Sequence, residues 1–205
     1  MTRARLGLGV SASLALAACG PLIELPGSGP APDHVALTAL TNNVETKTDE
    51  FILIVDEPTM PGELIGADIA IKSPGGHRVN YLDGARWTSR TPLILHRYLI
   101  ASFDNAAPWH TIGGGSLLEI PADYRLKLDV RDFHAELNGA PNVSVTIAAK
   151  LVRNGPVELI DARQFKTRAD AASRSPADLA RAFDTAMDEV SRKMIDWVEQ
   201  AVPRD

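Results

Sequence analysis

Tyr124-Arg125-Leu126-Lys127-Leu128-Asp129-Val130-Arg131-Asp132-Phe133-His134-Ala135-Glu136-Leu137 is the stretch from which the fold is read. From 124 to 130 the apolar side chains hold the even positions and the charged ones the odd positions. That period of two puts one row on a core and the other in water. At Phe133, Ala135 and Leu137 the apolar row moves to odd positions. A one-residue slip reverses every side chain, so a β-bulge is predicted near Arg131 to Phe133. Asn138-Gly139-Ala140-Pro141 then turns the chain into the alternation Val143, Val145, Ile147, Ala149, Leu151. Asn154-Gly155 turns it again into Val157 to Thr167. Three strands of this kind form an antiparallel meander with one face to cover.

The cover follows directly. Ser175-Pro176-Ala177-Asp178 opens a helix with a capping hydroxyl, a first-turn proline and an acid at the positive end of the dipole. Leu179, Phe183, Met187, Val190, Met194, Trp197, Val198 and Ala201 mark one apolar stripe, and Pro203 stops it. Upstream, Val35 to Ala39 reads as a weak strand, and Phe51 to Val55, continuously apolar, as a strand at the middle of the sheet. Pro58 and Pro61-Gly62 interrupt the ladder, and Ala67 to Tyr81 alternates about a Ser73-to-Gly76 turn as a hairpin. Thr91-Pro92 predicts a helix start with Thr91 as cap. Ile94, Leu95, Tyr98, Leu99, Ser102 and Phe103 are its buried face, His96 and Arg97 its outer one. The segment from Asn105 to Pro121 has no period and reads as loop. The predicted class is α+β: an antiparallel or mixed sheet packed by two main helices, with (βββα)-like halves merged into one sandwich.

The amino terminus sets a different constraint. Arg3 and Arg5 precede an apolar run from Leu6 to Leu16, the layout of a secretory signal, and the run is shorter than the roughly 20 residues a hydrocarbon core requires. Leu16-Ala17-Ala18-Cys19 then resembles a bacterial lipobox, with cleavage between Ala18 and Cys19 and acyl chains of the palmitate type on Cys19. Two or three such chains make a durable anchor. Gly20 in place of Asp follows the enterobacterial pattern for outer-membrane delivery. Gly20 to Asp33, with Pro21, Pro26, Pro30 and Pro32, reads as a leash that reaches about 50 Å when extended. The predicted layout is therefore 1–18 signal, 19–33 lipidated leash and 34–205 one α+β domain.

The formal charge of −5 argues against nucleic acid as a partner. Cys19 is the only cysteine, so the body has no disulfide and no cysteine metal site. The five histidines are scattered, and Asp132 with His134 is more readily an edge polar pair than a catalytic one. Gly113-Gly114-Gly115-Ser116 lacks the lysine of a phosphate loop and the pattern of a nucleophile elbow, and reads as a flexible loop. No catalytic constellation, metal site or cofactor motif is present in the sequence. Trp197 belongs to the apolar stripe, whereas Trp87 and Trp109, flanking the first helix, are candidates for a partner surface.

Val55, Pro58, Pro61-Gly62 and Leu64, then Val79-Asn80-Tyr81, Ala85-Arg86-Trp87 and the helix to Phe103, together resemble the ABC-type transport auxiliary lipoproteins of the paraquat-inducible protein C type. Val130-Arg131-Asp132-Phe133 and the closing helix through Ala182, Ala186 and Trp197 fit the same family. The resemblance implies a non-enzymatic, self-associating lipoprotein on the periplasmic face of the outer membrane. It would dock the conduit of an MCE-domain protein served by an ABC permease and ATPase, with phospholipid as the cargo. The competing class is an outer-membrane assembly lipoprotein that partners a β-barrel of the lipopolysaccharide-export type.

Overall fold

The computed structural model describes residues 31–41, 47, 51–73, 75–115 and 121–203. The signal, Ala18, Cys19 and most of the leash lie outside them. Ala31–Asp205 forms one compact unit. Its elements are β1 (Asp33–Val35), β2 (Ile52–Val55), β3 (Asp68–Lys72), β4 (Val79–Trp87), α1 (Thr91–Ala106), β5 (His110–Gly113), β6 (Tyr124–Glu136), β7 (Asn142–Arg153), β8 (Glu158–Asp170) and α2 (Pro176–Ala201). Eight strands form one mixed open sheet, and two helices pack on it, the α+β class read from the sequence.

The long strand β6 is the axis. On one side it pairs antiparallel with β7, which pairs antiparallel with β8, so the meander is present. The register shifts between Val130 and Asp132, which is the predicted bulge: Val130 and Phe133 are both buried although they stand three positions apart, an odd step that regular alternation would send to opposite faces. On the other side β2 and β3 lie in tandem along the same edge of β6, both parallel to it. Val55 pairs with Leu126, Thr59 bridges to Asp129 and Ile71 pairs with Ala135. Pro58 and Pro61 fall in the gap between the two strands, where no continuous ladder needs their missing amide hydrogens. β5 completes one branch beyond β2, while β4 and β1 complete the other beyond β3.

Four local expectations change. The strand read over Val35 to Ala39 stops at Val35, and the chain instead crosses onto the helices. The Thr38 amide donates to Asp184 Oδ1 at 2.8 Å, the Leu40 amide to Ser102 Oγ at 3.1 Å, and Asn105 Nδ2 to the Leu40 carbonyl at 2.8 Å. Side chains of both helices thus supply what a strand partner would have supplied. The loop read over 105 to 121 contains β5, whose ladder comes from β2. Thr91 is inside α1 rather than its cap: Arg90 holds that position, and Thr91 Oγ1 donates to the Gly66 carbonyl at 2.8 Å. His96 is buried and not on an outer face, because Nε2–H donates to the Val55 carbonyl at 2.9 Å and so ties α1 to the end of β2.

α2 follows its prediction. Ser175 Oγ accepts from the Asp178 amide at 3.2 Å, and every stripe residue from Leu179 to Val198 is buried. The two helices meet where Tyr98 Oη donates to Asp188 Oδ1 at 2.6 Å. Burial, and then Asp188, pushes the Tyr98 phenol far above its ordinary value.

Candidate partner surface

Each tryptophan anchors a separate part of the core. Trp87, at the end of β4, packs on Phe133 of β6 and Phe183 of α2 with ring centroids 5.6 and 5.2 Å away, and Phe133 lies 4.5 Å from Phe183. Trp109 stacks on Phe51 at 5.2 Å, and Phe51 meets Tyr124 edge-on at 5.4 Å. Trp197 meets Phe165 at 5.5 Å while its Nε1–H donates to Asp161 Oδ2 at 2.6 Å. Trp87 is 2% exposed and Trp109 1%. Neither presents a ring to a partner, which corrects the sequence expectation. Both flank α1 in sequence and face inward, Trp109 against Phe103 of α1 at 6.4 Å and Trp87 under Phe183 of α2.

The glycine-rich segment is likewise not a free loop at its start. The Gly114 amide donates to the Val55 carbonyl at 2.6 Å, and a Cβ there would meet Asp56 Oδ1 at 2.5 Å. Backbone approach, and not flexibility, requires glycine at 114. Asp56 is in turn held by Arg125 at 2.5 Å and Lys127 at 3.5 Å.

What remains exposed is the sheet face opposite the helices. There the odd residues of β6 before the bulge and the even residues of β7 and β8 point outward: Arg125, Lys127, Asp129 and Arg131 beside Lys150, Gln164, Lys166 and Arg168. A sheet with one wet face suits its antiparallel half. Asp56, Thr59, Lys127, Asp129, Arg131 and Lys150 edge a shallow depression of about 300 Å³ on it.

Higher on the same face, Lys72 Nζ donates to Asp132 Oδ1 at 2.5 Å, and His134 lies between Asp132 and Glu136 at 3.6 and 3.7 Å. Those separations exceed hydrogen-bonding distance, and His134 Nδ1 has no partner. Burial, reinforced by the charge of Lys72, holds His134 below its ordinary value, so the ring is neutral and the contacts are not ion pairs. Although burial works against it, the Lys72 hydrogen bond and charge keep Asp132 below the usual carboxylate range. The group is a structural charge cluster.

Among the described residues no group of three His, Cys, Asp or Glu side chains is placed to hold a metal ion, and no helix is long and apolar enough to cross a membrane. The features that sequence reasoning missed are the His96 tie and the Gly114 contact. Both depend on partners far along the chain, though the three glycines in a row marked the place.

Comparison with known proteins gives this body a family. A crystal structure of XCC0632 from Xanthomonas campestris superposes with a TM-score of 0.70 at 20% identity, covering 82% of this chain and 95% of that one. A second, of an uncharacterised protein, gives a TM-score of 0.64 at 16% identity, with 82% and 99% covered. At these identities the likeness is one of fold. An uncharacterised protein of Bradyrhizobium diazoefficiens is 29% identical over 161 residues, 76% of this chain. The match spans 41% of that relative's length. The family model for the ABC-type transport auxiliary lipoprotein component matches residues 36–195, which takes in β2 through nearly all of α2. The chain belongs to the family of ABC-type transport auxiliary lipoproteins.

Proposed function

We propose that this protein is the outer-membrane-anchored component of an ABC and MCE-type system that moves lipid between the two envelope membranes. The observation that carries the reading is the family match, which spans the folded body from residue 36 to 195. In this account cleavage between Ala18 and Cys19 leaves an acylated Cys19 in the periplasmic leaflet, and the leash holds the body near that surface. The body docks the far end of an MCE-domain conduit whose inner end is served by the permease and ATPase. It self-associates to meet that conduit, carries phospholipid past itself and performs no catalysis. The committed aromatic core supports a rigid docking role, since a body without loose layers keeps a fixed height and orientation. The exposed polar sheet face is the surface available for docking.

The test is in-cell crosslinking and affinity recovery of the native lipoprotein beside Cys19→Ala. The reading expects an MCE-domain protein with the wild type, and loss of outer-membrane fractionation in the variant. Recovery of a β-barrel with no MCE protein would overturn it in favour of barrel assembly.

A further inference from the structure

The β7–β8 hairpin ends in an apolar tip. Val157 is 85% exposed and Leu159 57%, two of the four large exposed apolar side chains among the described residues. Leu159 pairs across the sheet with Val152 on the wet face, so aliphatic surface runs from the tip onto that face. One row behind, Lys127 and Lys150 stand directly opposite each other on β6 and β7. Like charges at that spacing repel. Lys127 shares Asp56 with Arg125, whereas Lys150 makes no ion pair among the described residues. Of the acids near the tip, Glu158 is paired with Arg153 at 2.8 Å, while Asp161 accepts from the Trp197 indole and keeps its charge.

We propose that this tip is a bilayer-contact surface for anionic phospholipid, with Val157 and Leu159 entering the boundary between headgroups and acyl chains and Lys127 and Lys150 resting on lipid phosphates. The spacing fits. Lys150 lies three strand residues before Arg153, about 10 Å along the strand, and shallow interfacial insertion is about 5–10 Å deep. A convex tip of aliphatic side chains suits a fluid, flat surface, whereas a protein partner of equal affinity requires a shaped pocket. The chain's net charge of −5 repels anionic lipid as a whole, so any attraction has to be local, and it comes from Lys150, which has no ion pair among the described residues, beside Lys127 and Arg125, two cations that share the single carboxylate of Asp56. The inference rests on the membrane-anchored reading for its setting, but its test does not depend on acylation.

The full chain is made with Cys19→Ser, so that one introduced cysteine is the only thiol, and is labelled with an environment-sensitive fluorophore at Val157→Cys or at Ala140→Cys. These sites lie at opposite ends of β7, roughly 40 Å apart, so a tip-down orientation brings one label to the bilayer and keeps the other clear of it, whereas a body lying with its sheet face down would bring both into contact. With vesicles of phosphatidylethanolamine and phosphatidylglycerol, the label at 157 is expected to shift to the blue and be quenched by brominated lipid, while that at 140 stays in water. Phosphatidylcholine vesicles are expected to bind less well. Lys127→Gln with Lys150→Gln removes that preference, about fivefold per lysine. A label at 157 that ignores vesicles of either kind overturns the proposal. So does one that shifts only when an MCE-domain protein is added, which would make the tip a protein contact.

Discussion

Trp87→Ala tests whether this side chain is core or contact surface. Trp87 joins β4 of the first half to β6 of the second and to α2, through centroid distances of 5.6 and 5.2 Å. It is 2% exposed, so truncation removes nearly all of a buried indole and leaves a cavity against two phenyl rings. Large-to-small changes of this kind cost about 3–5 kcal/mol. For a domain of this size each kcal/mol moves the melting temperature by about 2–4 °C, which places the expected fall at about 6–20 °C. Urea unfolding followed by far-UV circular dichroism gives the free energy. A cycle of Trp87→Leu and Phe183→Leu gives the coupling, expected at about 0.5–1.5 kcal/mol for an edge-to-face pair. Because the trio spans both halves, the variant should still unfold in one transition. A loss below about 1 kcal/mol, or two separated transitions, would refute the assignment of Trp87 to a shared core.

Gly114→Ala is expected to cost about 1–3 kcal/mol in the same assay, since its methyl meets Asp56 Oδ1 and the Val55 carbonyl, whereas Gly155→Ala, with no atom within 4 Å of its Cβ position, should be near neutral. Ser175→Ala removes the acceptor of the Asp178 amide and the donor to its carboxylate and should cost about 1 kcal/mol, recovered in large part by Ser175→Thr, which keeps the hydroxyl. His134 is held below its ordinary value of 6.5, so the unfolded chain binds the extra proton first. Its contribution to stability is therefore complete above pH 6.5 and is lost as the pH falls below that value, at a slope of at most about 1.4 kcal/mol per pH unit. Urea midpoints measured across that range for the wild type and His134→Gln should converge as the pH falls.

The second half of the fold was legible because its signals are local. The phase flip at Phe133 names its own bulge, and Ser175-Pro176 names its own helix start. In the first half the signals come from elsewhere. β5 has no alternation of its own and is a strand because β2 lies beside it. The segment after Val35 looks like a strand by pattern, yet Ser102, Asn105 and Asp184 bind its backbone and take it off the sheet. Thr91 has the right chemistry for a cap, but the Gly66 carbonyl competes for its hydroxyl and moves the helix start by one residue. The candidate partner surface failed for a related reason. A tryptophan beside a helix reads the same in sequence whether the helix covers it or leaves it open, and only packing separates the two.

The burial of all three tryptophans relocates the question of contact. The sheet has one face under α1 and α2 and one in water, and the aromatic residues that dominate many protein contacts are nearly all on the covered side. Tyr81 is the exception, 48% exposed, with its hydroxyl donating to the Glu63 carbonyl. The wet face carries charge in pairs: Lys72 with Asp132, Arg168 with Glu136, Arg131 with Asp129, Arg125 with Asp56. The more exposed of these pairs, Arg168 with Glu136 and Arg131 with Asp129, contribute little to stability, about 0–1 kcal/mol each, so stability alone does not account for the pattern. A face of compensated charges resists unspecific apolar association and admits a partner whose own charges exchange with the pairs in register. Contact of that type is strengthened by low salt and weakened by high salt, because the exchanging groups lie within reach of the ionic atmosphere. An apolar contact at the hairpin tip responds in the opposite sense to salting-out anions. The salt dependence of partner recovery therefore tests both surfaces: loss with rising sodium chloride points to the sheet face, and persistence that sulfate strengthens points to a protein contact at Val157 and Leu159, which would count against the bilayer reading of the tip.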